Sequence, residues 1–126
     1  MRVQYSMIFV SDMSRSVAFY RDVLGIPLKF ESPGWSEFAS EGATIALHKS
    51  DGPALEPEPK GVETAGRSRP GFEVEDLDAF HTRMVEHGVP CAQEPTPLFG
   101  AKIAQYWDPD GLIFAVGQAR GGEPPR

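Results

Sequence analysis

One short phrase occurs twice in this chain, and it restricts the fold more than any other feature. Val10-Ser11-Asp12-Met13 opens a stretch of helical periodicity that closes at Gly25-Ile26-Pro27, and Val74-Glu75-Asp76-Leu77 opens another that closes at Gly88-Val89-Pro90. The offset is 74 − 10 = 64 residues at the opening and 88 − 25 = 63 at the close, about half of the 126-residue chain. In each copy the aspartate offers a side-chain oxygen to cap the first turn, and the glycine supplies the residue that ends the helix. A unit written twice implies a pseudo-symmetric fold whose working surface lies between equivalent sheets.

The flanks of each helix carry strand patterns. Val3 to Val10, Pro27 to Glu31, Trp35 to Ala39 and Ala43 to Lys49 read as strands of the first copy, and Met13, Val17, Tyr20 and Leu24 form one helical face. In the second copy Gly71 to Val74, Val89 to Gln93, Ala101 to Trp107 and Leu112 to Val116 read as strands, and Leu77, Phe80, Met84 and Val85 form the apolar helical face. Asp108-Pro109-Asp110-Gly111 is a hairpin turn by composition rather than a calcium loop. The predicted order βαβββ–βαβββ is an α+β fold, with curved mixed sheets enclosing a cavity and helices outside. The first module covers 1–49 and the second 69–118, joined by a loop over 50–68 rich in Pro, Gly and Glu, with a disordered tail over 119–126.

Charge and cysteine usage narrow the function classes. A formal net charge of −6 argues against a nucleic-acid partner, which needs a basic stripe. Cys91 is the single cysteine, so a disulfide framework within the chain is excluded, and a reducing cytoplasm is expected. The N-terminal stretch lacks a long apolar run, so neither a signal peptide nor a membrane span is expected.

Val-x-Asp-x-x-x-Ser-x-x-Phe-Tyr (Val10 to Tyr20), Leu24-Gly25, the Val74-x-Asp76-Leu77-Asp78 opening and the Asp-Pro-Asp-Gly turn together span nearly the whole chain. In this combination the sequence resembles the vicinal oxygen chelate superfamily, which includes glyoxalase I, extradiol dioxygenases, and fosfomycin- and bleomycin-resistance proteins. The resemblance implies a homodimer and, in metal-dependent members, one His, Glu or Gln ligand on each of four strands. Those positions correspond here to Tyr5, Ala46, Arg69 and Ala115. Alanine has no donor atom, tyrosine would have to ionise from a pKa near ~10, and a protonated arginine repels a cation. No metal and no cofactor are expected.

Alternation along the strands turns Tyr5, Met7 and Phe9 inward, with Thr44, Ala46 and His48, then Arg69, Gly71 and Glu73, then Ile113, Ala115 and Gly117. Trp35, Phe38, Gln105, Tyr106 and Trp107 lie on strands whose parity is open. The candidate ligand-binding set is therefore Tyr5, Met7, Phe9, Trp35, Phe38, His48, Arg69 and Trp107. Aromatic walls with a few polar groups suit a small aromatic or drug-like molecule, and the resemblance to the bleomycin-resistance branch suggests antibiotic sequestration. The alternative is a metal-independent lyase or isomerase with Glu73 or His48 as general base. Whether the chain is an enzyme stays open here, with the balance toward binding. His81 and His87, on the second helix, and Cys91 read as structural.

Overall fold

The computed structural model describes residues 1–118, and the chain divides into two compact units, Met1–Leu55 and the residues from Glu56 onward. The tail expected to be disordered lies outside the described residues. In the first unit β1 (Tyr5–Val10) leads into α1 (Met13–Ala18) and a π-helical turn over Phe19–Val23, followed by β2 (Leu28–Phe30), β3 (Trp35–Phe38) and β4 (Thr44–Lys49). These strands form a sheet in the order β1-β4-β3-β2, with β1 parallel to β4 and the other neighbours antiparallel.

The second unit repeats the scheme with β5 (Gly71–Glu73), α2 (Leu77–Glu86), β6 (Cys91–Leu98), β7 (Ala101–Trp107) and β8 (Ile113–Gln118), in the order β5-β8-β7-β6. The mixed α+β architecture is the one expected. No described helix is long and apolar enough to cross a membrane.

The two aspartates of the repeated phrase do the same work. Asp12 Oδ1 accepts from the Arg15 backbone N–H at 3.0 Å, and Asp76 Oδ1 accepts from the Ala79 N–H at 3.0 Å. Each satisfies a first-turn donor that would otherwise lack a helical partner. In the first unit, Met13, Val17 and Tyr20 are buried with Ile8, Val10, Phe38, Ile45 and Leu47, and the Tyr20 and Phe38 rings lie 6.0 Å apart. Leu24, expected on the same stripe, is only half-buried. The Leu24 N–H reaches back five residues to the Phe19 carbonyl, and the widened turn shifts the later positions around the axis.

In the second unit, Leu77 and Met84 are buried with Ala104, Tyr106, Phe114 and Val116. Val85 was expected on that apolar face but is 62% exposed. Eight residues on from Leu77 places it about 80° around the helix, beyond the stripe; His81 takes the inner position. The strand expected over 89–93 runs instead over Cys91–Leu98, through Pro95 and Pro97. Among the described strands it pairs with β7 alone and its register slips twice, so an edge strand tolerates the two missing donors.

The segment between β4 and β5 holds neither helix nor strand over 51–70, yet it is tied to the second unit. Glu58 is 7% exposed. Its carboxylate accepts the Ile113 backbone N–H and an Arg67 guanidinium N–H, the latter at 3.2 Å, while its own N–H donates to the Gly111 carbonyl at 2.9 Å. Glu58→Ala strands a buried N–H and a guanidinium, and will lower unfolding stability by about 2–3 kcal/mol. Exposed Glu75→Ala will stay within about 0.5 kcal/mol of the parent. Equal urea midpoints for the two variants would show that Glu58 holds nothing.

Candidate functional site

Register decides which side chains share a face. Across β1 and β4, Tyr5 pairs with Thr44, Met7 with Ala46 and Phe9 with His48; across β4 and β3, His48 pairs with Trp35 and Ala46 with Glu37. These residues occupy the face away from α1. Ile8, Val10, Ser36, Phe38, Ile45 and Leu47 occupy the helix side, where all are buried. The contrast along β1 is sharp: Ile8 and Val10 are 5% and 1% exposed, whereas Tyr5, Met7 and Phe9 are 47%, 37% and 61% exposed.

The open face is an aromatic surface. Tyr5 and Trp35 meet edge to face with centroids 5.4 Å apart, Trp35 and His48 at 6.0 Å, and Phe9 and His48 at 5.5 Å. Trp35 is placed from two sides. Ser32 Oγ accepts its backbone N–H at 3.2 Å at the start of β3, and its indole Nε1 donates to Glu37 Oε2 at 2.8 Å. His48 Nδ1 lies 2.8 Å from the Lys49 carbonyl, a contact that requires a proton on Nδ1.

Five of the expected binding residues thus come together: Tyr5, Met7, Phe9, Trp35 and His48. Phe38 does not join them. It is three residues from Trp35 on one strand, an odd step that turns it to the other face, and it is fully buried beside Tyr20. Glu37 takes the place that Phe38 was expected to fill, and W-x-E on a strand was the available signal.

The remaining expected residues belong to the second unit. Glu73 pairs with Gly117, Ala115 with Gly71 and Gln105, and Trp107 with Ile113, so these share one face. Trp107 is half-buried, and its Nε1 donates to the Glu58 carbonyl at 2.7 Å. Arg69 precedes β5; its Nε is buried and has no hydrogen-bond partner among the described residues. Tyr106, whose parity was open, lies on the helix side, stacked 5.7 Å from Phe114, with its hydroxyl 2.9 Å from His81 Nδ1. Burial, then the nearby Cys91, pushes the Tyr106 phenol well above its usual pKa. Burial likewise raises the Cys91 thiol, which keeps it a poor nucleophile near neutral pH.

Among the described residues, no three of His, Cys, Asp and Glu converge as metal ligands. An open cleft of about 440 Å³, lined by Met13 and Pro33 as well as Asp12, Glu31, Ser32 and Lys49, sits at the start of α1, and none of the aromatic platform residues lines it.

Comparison with known proteins agrees with this architecture. The family model described as Glyoxalase/Bleomycin resistance protein/Dioxygenase superfamily matches residues 2–116. The chain is 27% identical to the protein YurT of Bacillus subtilis (strain 168) over 126 aligned positions, covering 94% of this chain and 99% of that one. A glyoxalase/dioxygenase from Nostoc punctiforme superposes with a TM-score of 0.78 at 19% identity, covering 98% of this chain and 92% of the other. TnmS3, an antibiotic binding protein from Streptomyces sp. CB03234, superposes with a TM-score of 0.69 at 27% identity, covering 94% of this chain and 95% of the other.

Proposed function

Because the chain belongs to the glyoxalase/bleomycin resistance protein/dioxygenase superfamily, we propose that it is a metal-free binding protein that holds a small aromatic, antibiotic-like molecule on the open face of its first sheet. The observation that carries this reading is the exposed row of Tyr5, Met7 and Phe9 beside Trp35 and His48. Leaving these side chains about half exposed forgoes on the order of 1 kcal/mol of burial each, a loss that a stacking ligand offsets. Similarity to an antibiotic binding protein supports the ligand class.

Donor chemistry supports the metal-free part. The resemblance assigns Tyr5, Ala46, Arg69 and Ala115 to the positions where metal-dependent members carry ligands. Two of them lack a side-chain donor atom, one is a phenol and one a guanidinium, and none is a His, Cys, Asp or Glu donor.

Titration with a panel of planar aromatic antibiotics tests the reading. Saturable quenching of tryptophan fluorescence, with the compound recovered unchanged by mass spectrometry, is the expected result. Recovery of a converted compound would replace binding with catalysis, for which Glu73 and His48 are the candidate bases. Stoichiometric nickel, zinc, iron or manganese in the purified protein would overturn the metal-free assignment.

A further inference from the structure

We infer that the open face of the first sheet is built for an aromatic ligand that carries a positively charged amine, and that Glu37 selects that charge. The inference rests on the binding reading above and adds the ligand's charge to it. Its first support is the way the rings meet. Tyr5 and Trp35 are inclined at 90°, Trp35 and His48 at 89°, and Phe9 and His48 at 67°. Rings stacked in parallel would cover one another's faces. Rings at right angles form corners, and a corner offers the electron-rich face of one ring beside a second wall, an arrangement that recognises ammonium groups.

The second support is a carboxylate in an otherwise apolar row. Across the sheet the register runs Met7, Ala46, Glu37 and Phe30, so Glu37 is the charged member of a line that crosses from β1 to β2. Its side chain is 24% exposed, low enough for its field to be felt and open enough to be reached. Oε2 takes the Trp35 indole N–H at 2.8 Å, which fixes the ring beside the acid. Oε1 lies 3.8 Å from Lys29 Nζ, but the lysine side chain is 60% exposed, so this pairing is screened and open to exchange for a ligand cation. A carboxylate accepts more than the two contacts it makes here. An anionic ligand would meet repulsion at the same position.

Isosteric probes read the charge directly. Benzyltrimethylammonium and neopentylbenzene have the same shape and differ in one charge, which does not titrate. In calorimetric titrations of the full chain, the cation is expected to bind about 10-fold tighter than the hydrocarbon. Glu37→Gln keeps an oxygen for the Trp35 N–H and removes the charge; it will cut the cation-to-neutral selectivity about 3-fold, the ring faces keeping the rest. Lys29→Met, which removes the competing ammonium, will raise that selectivity. Equal affinities for the two probes in the parent protein would overturn the inference while leaving the binding reading intact, as would unchanged selectivity in Glu37→Gln with native circular dichroism. Failure of both probes and of the antibiotic panel to bind would overturn the binding reading and this inference with it.

Discussion

Trp35→Ala will weaken binding of an aromatic ligand roughly 30- to 100-fold, equivalent to about 2–2.7 kcal/mol. Trp35 sits where the open face concentrates its rings, in edge contact with both Tyr5 and His48. Its removal takes away the largest stacking surface and releases the Glu37 carboxylate that its indole N–H holds. Trp35→Phe keeps a ring and will lose less, about 3- to 5-fold, chiefly through the missing N–H. Trp107 gives the contrasting result. Its indole N–H is committed to the Glu58 carbonyl, so Trp107→Phe will lower stability by about 1 kcal/mol and leave ligand affinity within about 3-fold. The two variants also separate the fluorescence: the signal that responds to ligand will vanish with Trp35 and persist without Trp107. Parent-like affinity in Trp35→Ala would remove the platform from the site.

The sequence carried the two-unit plan in plain form, because capping aspartates and helix-ending glycines impose the same local chemistry wherever they recur. It also carried which residues of β1 and β4 share a face. Each strand is six residues long, so Tyr5, Met7, Phe9, Thr44 and His48 separate from the core set, while Ala46 shares their register but is itself buried. The short β3 was harder. Its four residues begin and end with an aromatic, and two aromatics three apart cannot both face a ligand. Phe38 went to the core because the opposite face of β3 is where Tyr20 packs, and only the register with β4 shows this. Glu58 was hidden for a different reason. In a stretch of prolines and acids its composition reads as solvated loop, and the partners that bury it lie 9 and 55 residues along the chain. Local pattern has no access to such contacts.

That same connector sets the largest stability effect. Gly111 closes the turn after Asp108, whose Oδ1 accepts the N–H groups of both Asp110 and Leu112 at 2.9 Å. The glycine has φ +82°, and a Cβ built on it would stand 2.7 Å from both Cα and Cβ of Pro57. Gly111→Ala therefore meets two penalties, the left-handed backbone and a clash with the backbone and ring of Pro57. A loss of about 3–5 kcal/mol is expected, lowering Tm by roughly 10–20 °C for a chain of this length. Gly88→Ala isolates the first penalty. Its φ is +69° and nothing stands within 4 Å of the added carbon, so its loss will be about 1 kcal/mol. Equal Tm shifts for the two variants would mean that the connector yields freely at Pro57. The clash also predicts a coupling. Pro57 immediately precedes Glu58, so pushing it outward draws the buried carboxylate away from Ile113. Gly111→Ala combined with Glu58→Ala will then cost at least about 1 kcal/mol less than the two changes added together, whereas strict additivity would place the alanine's damage in the turn alone.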